Sequence, residues 1–186
     1  GVFYVFAYIL LLLTNAPFRS IISMDMRLSL CCDAKFVSER KYKMAKEIYT
    51  SRSPEETEAI ARELAKKLKS GDFIAFFGGL GMGKTNFVRG LASVLCPDVR
   101  VTSPTFALVN EYTGDLNIYH FDMYRITDSD DLYSTGFYEY LERPGIVAAE
   151  WCEMIPEDLP ESRYDVTFER ISENERRITI EEKNES

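Results

Sequence analysis

The residues Gly78–Thr85 read GGLGMGKT, between an apolar run, DFIAFF, and an amphipathic run, NFVRGLASVL. Glycine inside a packed element costs backbone entropy and adds no side chain to the core. Such a stretch belongs where the backbone itself must make contacts. Gly78, followed after four residues by Gly83-Lys84-Thr85, matches the phosphate-binding loop GxxxxGK[ST]. The strand-like run before it and the helix-like run after it are the context that pattern needs. Loop N–H groups then cradle phosphate oxygens, the helix adds its positive end, Lys84 reaches the β- and γ-phosphates, and the Thr85 hydroxyl faces Mg²⁺. The other reading is a glycine-rich turn with no ligand. A chance match in a chain of this length is on the order of one in a hundred from average composition.

The loop calls for a sheet with helices, and the rest of the chain can supply them. Ser53 reads as an N-cap, with Pro54 and Glu56 at the first and third helical positions. Ala59, Ile60, Leu64 and Leu68 follow at helical spacing, with Gly71 as the closing residue. Asp72–Phe77 reads as a buried strand and Lys84–Leu95 as a helix stopped by Pro97. Residues 99–101, 106–112 and 116–121 read as strands, the last two around Thr113-Gly114-Asp115. Residues 128–133 and 138–141 read as short helices, and 146–149 as a second buried strand. The tail RYDVTFERISENERRITIEEK reads as a hairpin about residues 172–174. The expected fold is α/β, a three-layer arrangement of P-loop NTPase type with a mixed, mainly parallel sheet and a C-terminal antiparallel hairpin.

Phosphoryl chemistry needs an acid to hold Mg²⁺ or to orient the attacking group. In a parallel sheet such acids stand at the carboxyl ends of strands. Asp122 ends NIYHFD and Glu150 ends IVAAE. The other reading of each is a strand-end acid in a salt bridge. Thr105, in TSPTF, is a candidate γ-phosphate sensor, set against a plain Ser-Pro turn. Trp151 is either core or site lining. Arg125 either pairs Asp122 or assists phosphate, or forms a surface ion pair. His120 reads as packed into a strand rather than catalytic. No DxxG or NKxD is present to read guanine, which leaves ATP as the default nucleotide.

Charge separates the first 43 residues from the rest. They carry six Lys/Arg against three acids, so of the chain's formal net charge of −8, residues 44–186 carry −11. So acidic a body repels polyanions and suits a basic protein partner better than direct nucleic-acid binding. Residues 2–13, VFYVFAYILLLL, are too few to span a bilayer and lack the flanks of a signal peptide. Residues 1–43 are expected to be an appended segment, with a membrane anchor as the other reading, and 44–186 the P-loop domain with no membrane contact. Cys31, Cys32, Cys96 and Cys152 include no CxxC pair and fit a reducing cytoplasm.

Four motifs in this order, GGLGMGKTNFVRGL, VTSPTFALVNEY, YHFDMYRI and VAAEW, resemble the TsaE family over residues 44–186. That resemblance implies a small cytoplasmic ATPase of the tRNA threonylcarbamoyladenosine machinery, weak alone. It would act with TsaB-like and TsaD-like partners, reset them between turnovers, and touch tRNA only through them. Carried onto this sequence, it implies that Gly78, Gly79, Leu80, Gly81, Met82, Gly83, Lys84, Thr85 and Asn86 hold the nucleotide. Thr85 and Glu150 hold Mg²⁺, and Asp122, Glu150 and Lys84 serve hydrolysis. Thr105 and Trp151 belong to the switch, Pro54 packs the adenine, and Arg176 or Arg177 approaches the nucleotide. Met82 departs from the small residue usual in the family and is expected to face out of the loop. The alternatives are a P-loop small-molecule kinase or a nucleotide-dependent binding module without real turnover.

Overall fold

A computed structural model describes residues 46–184. The expectations for residues 1–43, including the apolar run 2–13 and Cys31 and Cys32, lie outside the described residues.

A seven-stranded sheet organises the domain, in the order β1-β7-β6-β2-β5-β4-β3. The strands are β1 (Lys46–Ser51), β2 (Phe73–Phe77), β3 (Val109–Tyr112), β4 (Ile118–Asp122), β5 (Ile146–Glu150), β6 (Arg163–Arg170) and β7 (Arg176–Lys183). The inner strands β6, β2, β5 and β4 run parallel, while β7, β1 and β3 add antiparallel pairings at the two sides. Parallel strands are buried on both faces, and β2 is built for that: four of its five residues, Phe73 to Phe76, are buried.

Alternation along β2 sends its residues to two cores. Ile74 and Phe76 join Ile118, Ala148 and Val166 beneath α1 (Pro54–Ala65) and α2 (Lys84–Leu95), which contribute Ala61, Leu64, Phe87, Val88 and Leu91. Phe73 and Ala75 join Tyr119, Phe121 and Ala149 beneath α3 (Ser129–Ser134) and α4 (Phe137–Glu142), which contribute Leu132 and Phe137. The result is the expected three-layer α/β fold. It also sets the geometry of the site. Ile118, His120 and Asp122 on β4, and Ile146, Ala148 and Glu150 on β5, alternate onto the face covered by α2. Asp122 and Glu150 are register partners.

Several boundaries differ from the sequence reading. β1 was not expected; it is an exposed edge strand whose partner, β7, lies at the far end of the chain. Helix α1 ends at Ala65 rather than running to Gly71, which sits at φ +94° in the turn before β2. Its Ser53 cap forms, with Glu56 N–H donating to Ser53 Oγ at 3.2 Å, but the Glu56 carboxylate accepts from Arg52 N–H at 2.7 Å. Residues 99–101 form no strand. The chain there finds its partner in a side chain, since the Tyr112 hydroxyl donates to Thr102 O and accepts from Thr102 N–H. β3 starts at Val109 because residues 104–108 close a turn in which Ala107 and Leu108 N–H both donate to Pro104 O. Among the described residues no helix is long and apolar enough to cross a membrane.

Candidate functional site

Gly78 leaves β2 at φ +124°, and a Cβ there would meet the Phe168 carbonyl oxygen at 2.6 Å. The close pass over β6 requires glycine twice over, for its conformation and for the space. Gly83, at φ +106°, caps α2 with no side-chain hydrogen bond, and the first turn of α2 carries no acid. The leading N–H groups of a twelve-residue helix therefore have neither a capping oxygen nor a countercharge from their own segment, an arrangement that suits an anion.

This loop borders a cavity of about 230 Å³ formed by Leu80–Asn86 with Ser103, Thr105, Asp122, Glu150 and Trp151. Lys84 is buried at its edge, donating from Nζ to Gly78 O at 2.5 Å and Gly79 O at 2.9 Å. The same Nζ lies 3.9 Å from the centre of the Trp151 ring. Burial pulls the Lys84 pKa down, opposed first by the nearby Glu150 carboxylate and then by Glu153 and Asp122. Its present partners are two carbonyls and a π face, with no direct carboxylate contact among the described residues. An incoming phosphate offers the ammonium a stronger, charged acceptor.

Thr85, in the first turn of α2, donates from Oγ1 to Glu150 Oε1 at 2.8 Å. A hydroxyl that gives its proton to a carboxylate keeps its lone pairs, and Thr85 lines the cavity, as a Mg²⁺ ligand must. Among the described residues no group of three or more His, Cys, Asp or Glu could hold a metal. A hydroxyl beside one carboxylate fits Mg²⁺, which takes few protein ligands and completes its shell with phosphate and water.

Asp122, buried, accepts from Thr105 Oγ1 at 2.9 Å and from Tyr124 N–H at 3.1 Å. Thr105 also bonds Ser103 at 2.7 Å. Trp151 stands in the left-handed region at φ +62°, a conformation that costs a non-glycine residue energy. Its ring centre lies 4.9 Å from that of Tyr124, the two planes tilted by 52°. The cavity thus gathers Leu80, Gly81, Met82, Gly83, Lys84, Thr85, Asn86, Thr105, Asp122, Glu150 and Trp151. Gly78 and Gly79 stand behind it as carbonyl partners of Lys84.

Pro54 does not line this cavity. It borders a second one of about 200 Å³ with Arg52, Ser53, Thr57, Asn174 and Arg176. The two cavities share Gly81, Met82, Gly83 and Asn86, so they meet at the glycine loop. Of the two hairpin arginines, Arg176 is here, while Arg177 pairs with Glu169 at 3.1 Å. Met82 does not face away: it is half-buried, packs on the α1/α2 core and lines both cavities. Arg125 lies over the Phe106 ring at 5.4 Å. Sequence reasoning missed Ser103 and Asn174, which carry no signal apart from their neighbours. It also set aside His120, whose Nε2 lies 2.9 Å from Glu150 Oε1.

Fold and loop define a P-loop α/β protein. The model of the family described as threonylcarbamoyl adenosine biosynthesis protein TsaE matches residues 51–178. The chain belongs to the TsaE family. It is 43% identical over 130 residues to the tRNA threonylcarbamoyladenosine biosynthesis protein TsaE of Bacillus subtilis, covering 69% of this chain and 80% of that one. It is 34% identical to the protein of the same name from Treponema pallidum, covering 70% of this chain and 96% of the other. Among solved structures it resembles that of Bacillus subtilis YdiB, with a TM-score of 0.65 and 34% identity over 76% of this chain and 88% of that one.

Proposed function

We propose that this protein serves tRNA threonylcarbamoyladenosine biosynthesis as a Mg²⁺-dependent ATPase. The observation that carries this reading is the Thr85–Glu150 hydrogen bond, which joins the start of an uncapped helix to the end of a parallel strand at the mouth of a glycine loop. A turn with no ligand would have no use for a buried lysine held by two carbonyls and a π face with no charged partner.

In this reading the nucleotide phosphates take over the loop N–H groups, and Lys84 exchanges Gly78 O and Gly79 O for phosphate oxygens. Thr85 Oγ1 and Glu150 hold Mg²⁺, which neutralises developing phosphate charge when bound. Pro54 and Arg176 flank the base-side cavity. Asp122 works at the γ-phosphate end. Its carboxylate is engaged by Thr105 and Tyr124, so release of Thr105 toward the γ-phosphate frees an oxygen to accept the proton of an attacking water. The water oxygen forms the new bond to the γ-phosphorus, the bond to the bridging oxygen breaks, and ADP departs. The acidic domain reaches tRNA through basic partner surfaces, and we assign those partners to TsaB-like and TsaD-like proteins. The work belongs to the cytoplasm.

The test is phosphate release from ATP and Mg²⁺ by the full chain, alone and with TsaB-like and TsaD-like proteins plus tRNA. A slow basal rate that rises with partners, together with repeated rounds of modification, is the expected result. Transfer of the γ-phosphate to a metabolite would identify a kinase instead. Nucleotide-dependent association with no stimulated turnover would identify a binding module.

A further inference from the structure

Among the described residues, one buried side-chain nitrogen or oxygen has no hydrogen-bond partner: His120 Nδ1. His120 is fully buried in β4, paired in register with Asn110 of β3 and Ala148 of β5, with the Tyr112 ring 6.2 Å away. A ring kept there for volume alone would do better as phenylalanine, because a buried polar atom without a partner is destabilising. The other nitrogen explains the histidine. Nε2 lies 2.9 Å from Glu150 Oε1, the oxygen that also accepts from Thr85 Oγ1. Glu150 Oε2 takes no hydrogen bond among the described residues, and Glu150 lines the cavity.

The tautomer follows from the surroundings. A proton on Nδ1 would be a buried donor with no acceptor. In the neutral ring it would also set the Nε2 lone pair against a carboxylate oxygen. A proton on Nε2 alone satisfies Glu150 and leaves Nδ1 as the lesser cost, an unused acceptor.

We propose that His120 is a positioning residue: its Nε2–H pins Glu150 Oε1, aiming the carboxylate into the cavity whether or not Thr85 is engaged. The Thr85 hydroxyl can turn from Glu150 toward a ligand, because it stands in the first turn of α2 on the wall of the cavity. His120 sits in the middle of a sheet and does not have to move. Two donors on one oxygen fix the plane of the carboxylate, and the one from the sheet persists when the one from the loop readjusts. This rests on Glu150 being the metal-side carboxylate of the proposed ATPase. It adds a residue that touches neither nucleotide nor metal.

The chain contains a single histidine, which makes a direct test simple. In the full protein prepared without a histidine tag, ¹⁵N shifts of the ring should show Nε2 protonated and Nδ1 unprotonated. A protonated Nδ1 overturns the proposal. Two variants separate positioning from packing. His120→Phe keeps the ring and removes the donor; His120→Gln places an amide N–H near the Nε2 position. Expected for His120→Phe is a loss of about 10- to 100-fold in partner-stimulated kcat and in the Mg²⁺ enhancement of ADP affinity. Metal-free ADP affinity should stay within about threefold, since the phosphate cradle is untouched. His120→Gln should recover much of both losses. A His120→Phe protein with wild-type turnover and an intact Mg²⁺ effect would make the ring a packing residue and overturn the inference. Should His120→Phe fail to fold, the tautomer and His120→Gln decide. Absence of ATP turnover in the wild type would sink the proposed function, while the ring shifts and the Mg²⁺ effect on ADP would still judge His120.

Discussion

Two cavities of nearly equal size open at opposite ends of the parallel strands, about 230 Å³ beside the glycine loop and about 240 Å³ between Lys69–Phe73, the start of β6 and the end of β7. Volume does not distinguish them; the treatment of buried acid does. Near the second cavity Asp165 is held by Arg163 at 2.7 Å and Lys183 at 2.5 Å, both of which border it. Its charge is met by the fold. At the first cavity Asp122 and Glu150 are as buried, yet among the described residues neither pairs with lysine or arginine. They take hydroxyl, amide and imidazole donors instead. A carboxylate satisfied by a cation is structural. One held by neutral donors keeps its charge available for a cation that arrives with a ligand.

That contrast can be broken in graded ways. Lys84→Ala removes the buried ammonium of the first cavity and should weaken ADP and ATP binding by about 100-fold or more, measured by calorimetry. Retained affinity would place the nucleotide elsewhere. Glu150→Gln keeps the shape and removes the charge. It should leave metal-free ADP binding within about threefold and lower stimulated phosphate release by about 100-fold. Asp165→Asn should do the reverse. With its partners partly in solvent the loss should be modest, about 1–2 kcal/mol, or a melting temperature lower by about 3–6 °C, with turnover unchanged. A drop in turnover without a drop in stability would erase the distinction between the two ends. Thr105→Val cuts one bond to Asp122 and removes the hydroxyl proposed to meet the γ-phosphate, and should slow the ATP-induced change around Trp151 by about fivefold. The fluorescence of Trp151, the chain's only tryptophan, reports it in stopped flow.

The glycine loop made the centre of this molecule legible from sequence. The α2 boundaries, Lys84–Leu95, agree to the residue, because a capping glycine and Pro97 bracket a clear apolar period. The strand-end acids Asp122 and Glu150 were legible for the same reason, each ending a short apolar run. What was hidden depends on partners distant in sequence. β1 has no strong alternation of its own and exists by pairing with β7. Residues 99–101 look like a strand, yet Thr102 bonds the Tyr112 hydroxyl instead of a neighbouring strand. Met82 is expected from sequence to face out of the loop; its half-burial follows from α1 packing beside α2, which no local pattern encodes. His120 looked like a packed residue and is one. Its bond to Glu150 appears only when β4 and β5 come into register.

The most direct measurement is the anomalous diffraction of Mn²⁺ in crystals of the full chain grown with ADP. The account predicts one strong peak within bonding distance of Thr85 Oγ1 and beside Glu150, with the phosphates on the N–H groups of Gly81–Thr85. A peak at Asp122 without Thr85, or nucleotide density away from the glycine loop, would contradict it.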